Sequence, residues 1–188
     1  LVENSIDAGA RRVAVEIEAG GLGLVRVIDD GCGMSPQDAL AAMGRHATSK
    51  IRSMEDLMSI ATLGFRGEAL PSIASVSRMS LETRAEGEEV GTCVQSEEGR
   101  ILAFSDKGLP IGTTVTVRDL FYNTPARRKF LKSRNTELAH VYAVVESLAL
   151  AHGEIAFRVV HNGKERMATQ RSAGLLATIA GLYGADLA

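Results

Sequence analysis

The chain opens Leu1-Val2-Glu3-Asn4-Ser5-Ile6-Asp7-Ala8-Gly9-Ala10, and the rest reads as built around this decamer. Leu1, Val2, Ile6 and Ala8 recur among polar residues at roughly helical spacing, and Gly9 suits the left-handed position that stops a helix. Asn4 and Asp7 stand three residues apart and so share one helix face. An amide and a carboxylate on one face can offer oxygens to a hard cation. A surface helix with an ordinary polar side accounts for the same letters, so the decision rests on the residues downstream.

Outward from Gly9, Arg12 to Glu18 alternates with Val13, Val15 and Ile17 on one face, the pattern of a half-buried strand. Gly20-Gly21-Leu22-Gly23 turns the chain, and Leu24-Val25-Arg26-Val27-Ile28 returns as a second strand running into Asp29-Asp30-Gly31-Cys32-Gly33-Met34. Ser35 caps a helix with Pro36 at its first position, extending to about Met43. The stretch from Gly44 to Gly64 holds a short helix capped by Ser53 with Asp56 at its third position, and reads as a lid. A helix to about Ala74 follows, then strands Arg78–Arg84, Gly91–Ser96, Arg100–Phe104 and the β-branched Thr113–Arg118. Thr124 is placed to cap a short helix with Pro125 first, and a longer helix from about Thr136 to Ala151 aligns Leu138, Val141, Val145 and Leu148. Ala156–Val160, Asn162-Gly163 and Lys164–Ala168 spell a hairpin, and Ser172–Tyr183 is helical, ending at Gly184. The sum is α+β: a two-layer α/β sandwich on one mostly antiparallel sheet.

Composition bounds this reading. The length of 188 residues fits one domain, or one domain and the start of another. With 45% hydrophobic residues, 4% aromatics and no Trp, an aliphatic mixed interior is favoured over an aromatic-rich sandwich. A net charge of -2 gives no global pull toward nucleic acid or anionic membrane, so any such contact must be local. Cys32 and Cys93 form no disulfide framework or metal spacing, which suits a reducing, cytoplasmic setting (a nuclear one if the source is eukaryotic). No apolar run reaches membrane-spanning length and no signal pattern is visible. A chain without an initiator Met reads as a fragment.

Three stretches carry candidate chemistry. Asp29 ends a strand just ahead of Gly31 and Gly33; its carboxylate suits an exocyclic amine such as that of adenine, and the glycines let backbone run close beneath a flat ring. A tight turn with acidic caps is the alternative. Gly64-Phe65-Arg66-Gly67-Glu68-Ala69-Leu70 places free N–H groups and an arginine ahead of a helix, an anion cradle distinct from a Walker A loop, or else a glycine hinge. Thr48-Ser49-Lys50 adds hydroxyl and ammonium donors in the lid, or a solvated turn. Arg127-Arg128-Lys129, with Lys132 and Arg134 and near Phe121 and Tyr122, suits a phosphate backbone or a solvated helix face. His46, His140, His152 and His161 are scattered without metal-ligand spacing, and Cys32 reads as small filler between glycines.

The order of these motifs, with Gly112-Thr113-Thr114 closing it, resembles the GHKL ATPases: gyrase B, Hsp-type chaperones, histidine kinases and MutL. Arg45-His46-Ala47-Thr48-Ser49-Lys50, Gly64 to Leu70, and Asp119-Leu120-Phe121-Tyr122-Asn123-Thr124-Pro125-Ala126-Arg127-Arg128-Lys129-Phe130-Leu131 make the MutL-type mismatch-repair branch the best match. The resemblance implies an ATPase using ATP and Mg²⁺. Asn4 would ligate the metal, and Asp29 would read the adenine amine with Thr114 assisting through water. Gly33 would lie by the base, Thr48, Ser49 and Lys50 in the lid, and Arg66, Gly67, Glu68, Ala69 and Leu70 around the phosphates. Asp30 departs from the Asn often found beside the adenine-reading residue. The family motif E-L-V-E-N overlaps Leu1-Val2-Glu3-Asn4, so the water-activating glutamate is expected immediately before Leu1. The chain as given is therefore expected to bind ATP and to hydrolyse it poorly. Residues 1–170 would form the ATP-binding domain, lacking its N-terminal arm, and 171–188 would lead into a second, truncated domain. The implied partners are a second MutL-type subunit in an ATP-dependent dimer, a mismatch-recognition protein of the MutS type, and DNA held weakly through its backbone.

Overall fold

The computed structural model describes residues 1–44, 68–171 and 174–183. The expected lid, with Thr48, Ser49, Lys50, the Ser53-capped helix, Arg66 and Gly67, lies outside the described residues.

Helix α1 spans Val2–Asp7 and stops as expected: Gly9 takes φ +71°, its N–H bonds Ile6 O at 2.9 Å, and the Ala10 N–H bonds Ser5 O at 3.1 Å. That pair of backward bonds satisfies carbonyls the last turn would otherwise leave open. Strands β1 (Arg12–Glu18) and β2 (Leu24–Asp29) follow, then α2 (Pro36–Ala42), in which the Asp38 N–H donates to Ser35 Oγ at 3.1 Å. Next come α3 (Ala69–Ala74) and strands β3 (Arg78–Arg84), β4 (Gly91–Glu97), β5 (Arg100–Lys107) and β6 (Gly112–Arg118). Helices α4 (Pro125–Lys129) and α5 (Arg134–Ala151), strands β7 (Ala156–His161) and β8 (Lys164–Ala168), and helix α6 (Leu175–Tyr183) complete the order.

The eight strands form one sheet, β5-β4-β3-β6-β2-β1-β7-β8, antiparallel at every step except β1 with β7. Helices cover one face. There α1 and α5 enclose Val13, Val15, Ile17, Val27, Val145, Phe157 and Val159, while α2 and α3 cover Met79, Leu81, Val94, Val115 and Val117. Leu1 and Val25 touch both groups, so α1 lies at their seam, above β2. The opposite face stays polar, with Arg26 bonded to Glu16 at 2.8 Å and to Thr116 at 3.3 Å. A sheet buried on one side only is what the period-2 pattern of β1 requires.

One expected helix start is met without its capping bond, and another needs correction. Thr124 occupies the cap position of α4, but its side chain makes no capping bond; its hydroxyl is buried with no partner among the described residues. Helix α5 starts two residues before Thr136, because Ser133 Oγ accepts the Thr136 N–H at 3.2 Å while Glu137 reaches back to the Lys132 N–H at 2.8 Å. The stripe Leu138, Val141, Val145 and Leu148 does face the core. Helix α6 packs against the domain, with Thr178 buried and the Tyr183 hydroxyl donating to Glu146.

Candidate functional site

The site is set where α1 crosses the end of β2. Ser5 lies four residues beyond Leu1 and beside Ile6, on the helix face that packs down, and it is only 3% exposed. A buried hydroxyl needs a partner. It finds one in Asp29, donating to Oδ2 at 2.7 Å, while the Gly31 N–H donates to Oδ1 at 3.0 Å. Each carboxylate oxygen thus holds a fixed donor, which sets the plane of the group and leaves lone pairs for a ligand. Burial raises the Asp29 pKa above its ordinary 3.8; the Ser5 hydroxyl and the backbone N–H groups of Gly31 and Thr113 oppose that shift, and neighbouring Asp30 adds to it.

Asp30 has a different task. The Arg11 and Arg12 amides both donate to its Oδ1 at 2.7 Å, pinning the start of β1 to the end of β2. The glycines beyond it are demanded by packing. A Cβ at Gly31 would stand 2.8 Å from that of Ala8, and one at Gly33, where φ is +67°, would stand 2.0 Å from the Arg84 carbonyl oxygen. The Cys32 N–H bonds Ala8 O at 2.9 Å and the Met34 N–H bonds Thr83 Oγ1 at 2.9 Å, so the loop is stitched to α1 on one side and β3 on the other. The Cys32 side chain itself is exposed, contrary to its reading as filler.

Strand register corrects one candidate. Asp29 pairs with Thr113, and Thr114 pairs with Ile28. Directly paired residues share a face of the sheet, so Thr113 stands beside Asp29 under the helices while Thr114 points the other way. Sequence reasoning chose the neighbour because the two threonines are adjacent and only the pairing distinguishes them. It missed Ser5 as well; a hydroxyl on an otherwise apolar helix stripe was the available signal.

The structure thus ties α1 to Asp29 through Ser5, with Asn4 one residue before Ser5 and Gly33 four residues beyond Asp29 in the loop stitched to α1 and β3. Asn4 and Asp7 sit half-buried on α1, three residues apart in continuous helix, whereas Glu3 is exposed. Glu68 stands at the cap position of α3 with Ala69 exposed after it, and the Leu70 side chain packs on the Val115–Val117 group.

The Asp119 to Phe130 stretch lies elsewhere. Arg118 pairs with Leu24 at the far end of β2 from Asp29, five residues away or about 17 Å along a strand. There Arg78 bonds Asp119 at 2.8 Å and Glu97 at 2.9 Å and lies 4.5 Å over the Tyr122 ring, whose hydroxyl donates to Glu97 at 2.9 Å. Burial and the bond to Glu97 push the Tyr122 hydroxyl up to about 12. Beyond this corner, Arg127, Arg128, Lys129, Lys132 and Arg134 are all exposed, and Phe130 stands 84% exposed among them.

A carboxylate held beneath a helix at the end of an antiparallel strand, with a glycine loop between them, defines a class. A family model for histidine kinase-, DNA gyrase B- and HSP90-like ATPases matches residues 1–106. Two solved structures share the fold. An Aquifex aeolicus MutL ATPase domain complexed with ADP has a TM-score of 0.76 at 36% identity, over 96% of this chain and 64% of that one. The N-terminal domain of a DNA repair protein has a TM-score of 0.80 at 29% identity, over 98% of this chain and 56% of that one. The DNA mismatch repair protein MutL of Methanoculleus marisnigri is 61% identical over the whole chain, and that of Desulforudis audaxviator is 53% identical, each aligned over 33% of its own length. The chain belongs to the MutL family of DNA mismatch-repair proteins, as its GHKL-type ATPase domain. It spans about a third of the length of the curated relatives it matches.

Proposed function

We propose that this chain is the ATP-binding domain through which a MutL-type protein couples nucleotide binding to mismatch repair. The observation that carries the reading is the Asp29 carboxylate, held by Ser5 and Gly31 with lone pairs to spare for a purine amine. Thr113 stands beside it in the role first expected of Thr114. Asn4, half-buried one residue before Ser5, offers a hard amide oxygen at the same end of β2. A single protein ligand of that kind suits Mg²⁺, which keeps most of its shell as triphosphate oxygen and water and supplies charge neutralisation at the phosphates. Thr48, Ser49, Lys50, Arg66 and Gly67 are assigned to the lid and phosphate loop by the family resemblance, together with the backbone of Glu68, Ala69 and Leu70.

In the longer protein the position immediately before Leu1 lies four residues from Asn4, on the same face if the helix continues. A glutamate there would stand beside the metal ligand and activate water. ATP binding would close the lid and pair two MutL-type subunits, and hydrolysis would release them. A MutS-type protein would deliver the mismatch signal. DNA would meet the patch of five cations around Phe130, which contrasts with a chain of net charge -2. The 171–188 segment would lead into a second domain.

The decisive experiment is a Mg²⁺-dependent ATP titration of the chain. Saturable binding supports the reading; no detectable binding to a folded sample rejects it. A chain extended upstream through a native glutamate should turn ATP over roughly 10²–10⁴-fold faster than the present one, the range for general-base assistance. Equal rates would remove the glutamate from that role.

A further inference from the structure

We propose that Thr83, which lies below the Asp29 site, sets the purine preference of that site by committing the hydroxyl hydrogen of Thr113. The proposal rests on the reading that a purine nucleotide binds at Asp29. Thr83 is 1% exposed and pairs with Thr113, which in turn pairs with Asp29, so the three side chains form a row on the helix-covered face.

A threonine hydroxyl has one hydrogen and two lone pairs. Thr83 Oγ1 meets three groups: the Met34 N–H at 2.9 Å, the Gly112 carbonyl at 3.0 Å and Thr113 Oγ1 at 3.0 Å. The amide can only donate and the carbonyl can only accept. Thr83 therefore accepts from Met34 and gives its hydrogen to Gly112. For the third contact to be a hydrogen bond, the Thr113 hydroxyl must donate to the remaining lone pair.

Thr113 is then left with lone pairs alone, and Asp29 beside it also has lone pairs alone. This acceptor-only pair complements an amino group at the purine 6-position and repels a carbonyl there. Without Thr83, the Thr113 hydrogen would be free to meet a carbonyl. Thr83 is a positioning residue, since it acts through Thr113 and through the Met34 end of the loop.

The test compares ATP with inosine triphosphate, which carries a 6-keto group, as ligands of the full-length protein and its variants. In Thr83→Val the ATP-to-ITP affinity ratio is expected to fall about tenfold, the worth of one hydrogen bond. Thr83→Ser, which keeps the hydroxyl, should hold the ratio within about twofold of wild type on the same scale. The ratio cancels any general loss of folded protein. If Thr83→Val does not fold, Thr113→Val removes one of the two acceptors and should lower the same ratio. An unchanged ratio in whichever of these folds overturns the proposal. Failure of the wild type to bind either nucleotide would instead overturn the underlying nucleotide reading.

Discussion

Replacing Asp29 by Asn tests the heart of the site. The carboxylate accepts from Ser5 at 2.7 Å and Gly31 at 3.0 Å, so the amide oxygen of Asn can keep only one of these partners. Its NH₂ group replaces an acceptor with a donor where a purine amine would donate. Losing a hydrogen bond to a charged group costs about 1.5–3 kcal/mol, or roughly 10- to 150-fold in Kd. Stability should move differently. The Asp29 pKa is raised in the fold, so its favourable contribution is present below 3.8 and is lost as pH rises through the folded value. Burial therefore opposes the ionised form, and Asn lifts that opposition. Calorimetric titration with Mg²⁺-ATP, alongside thermal unfolding, should show weakened binding with Tm lowered by no more than about 2–4 °C, the shift expected per kcal/mol at this size. Affinity within twofold of wild type, or affinity lost only in step with Tm, would refute the reasoning.

Four further outcomes are expected. ATP affinity should fall on acidification at a pH above the ordinary 3.8 of Asp, because burial raises the Asp29 pKa; an acid limb that persists in Asp29→Asn would assign it to another group. Ser5→Ala should cost about 1–3 kcal/mol by leaving Asp29 without its hydroxyl donor. The loss should be larger at neutral than at acidic pH, since only the ionised carboxylate needs that donor; equal urea midpoint shifts at both would contradict the pairing. Gly33→Ala should destabilise far more than Gly9→Ala, although both have φ near +70°, because only Gly33 faces backbone at 2.0 Å while Gly9 meets nothing within 4 Å. Gly9→Ala should cost only the left-handed penalty of about 1–2 kcal/mol, and comparable chemical-denaturation midpoints would undo the packing account. Converting Arg127, Arg128 and Lys129 together to Ala should lower the salt slope of single-strand DNA binding by roughly 2, and an unchanged slope would move DNA contact away from this patch.

Much of this architecture could be read locally. The alternation of Val13, Val15 and Ile17 dictated a one-faced strand, Gly9 ended α1, Ser35 capped α2, and all were found in those roles. Such signals lie within a few residues, where helix and strand periods act directly on the chain. The order of motifs carried the family as well, and with it Asp29 as the group to examine. Only the folded chain decided which partners Asp29 has. Ser5 is 24 residues from it and Thr113 is 84 residues further on, and no local period couples such positions. Register selected Thr113 over Thr114 because a one-residue change in pairing moves a side chain to the other face of the sheet. The same pairing put the Asp119 corner at the opposite end of β2 from Asp29, separating two motifs of one family signature. Composition and spacing specified the elements and the chemistry available; tertiary pairing chose which hydroxyls, amides and carbonyls would meet.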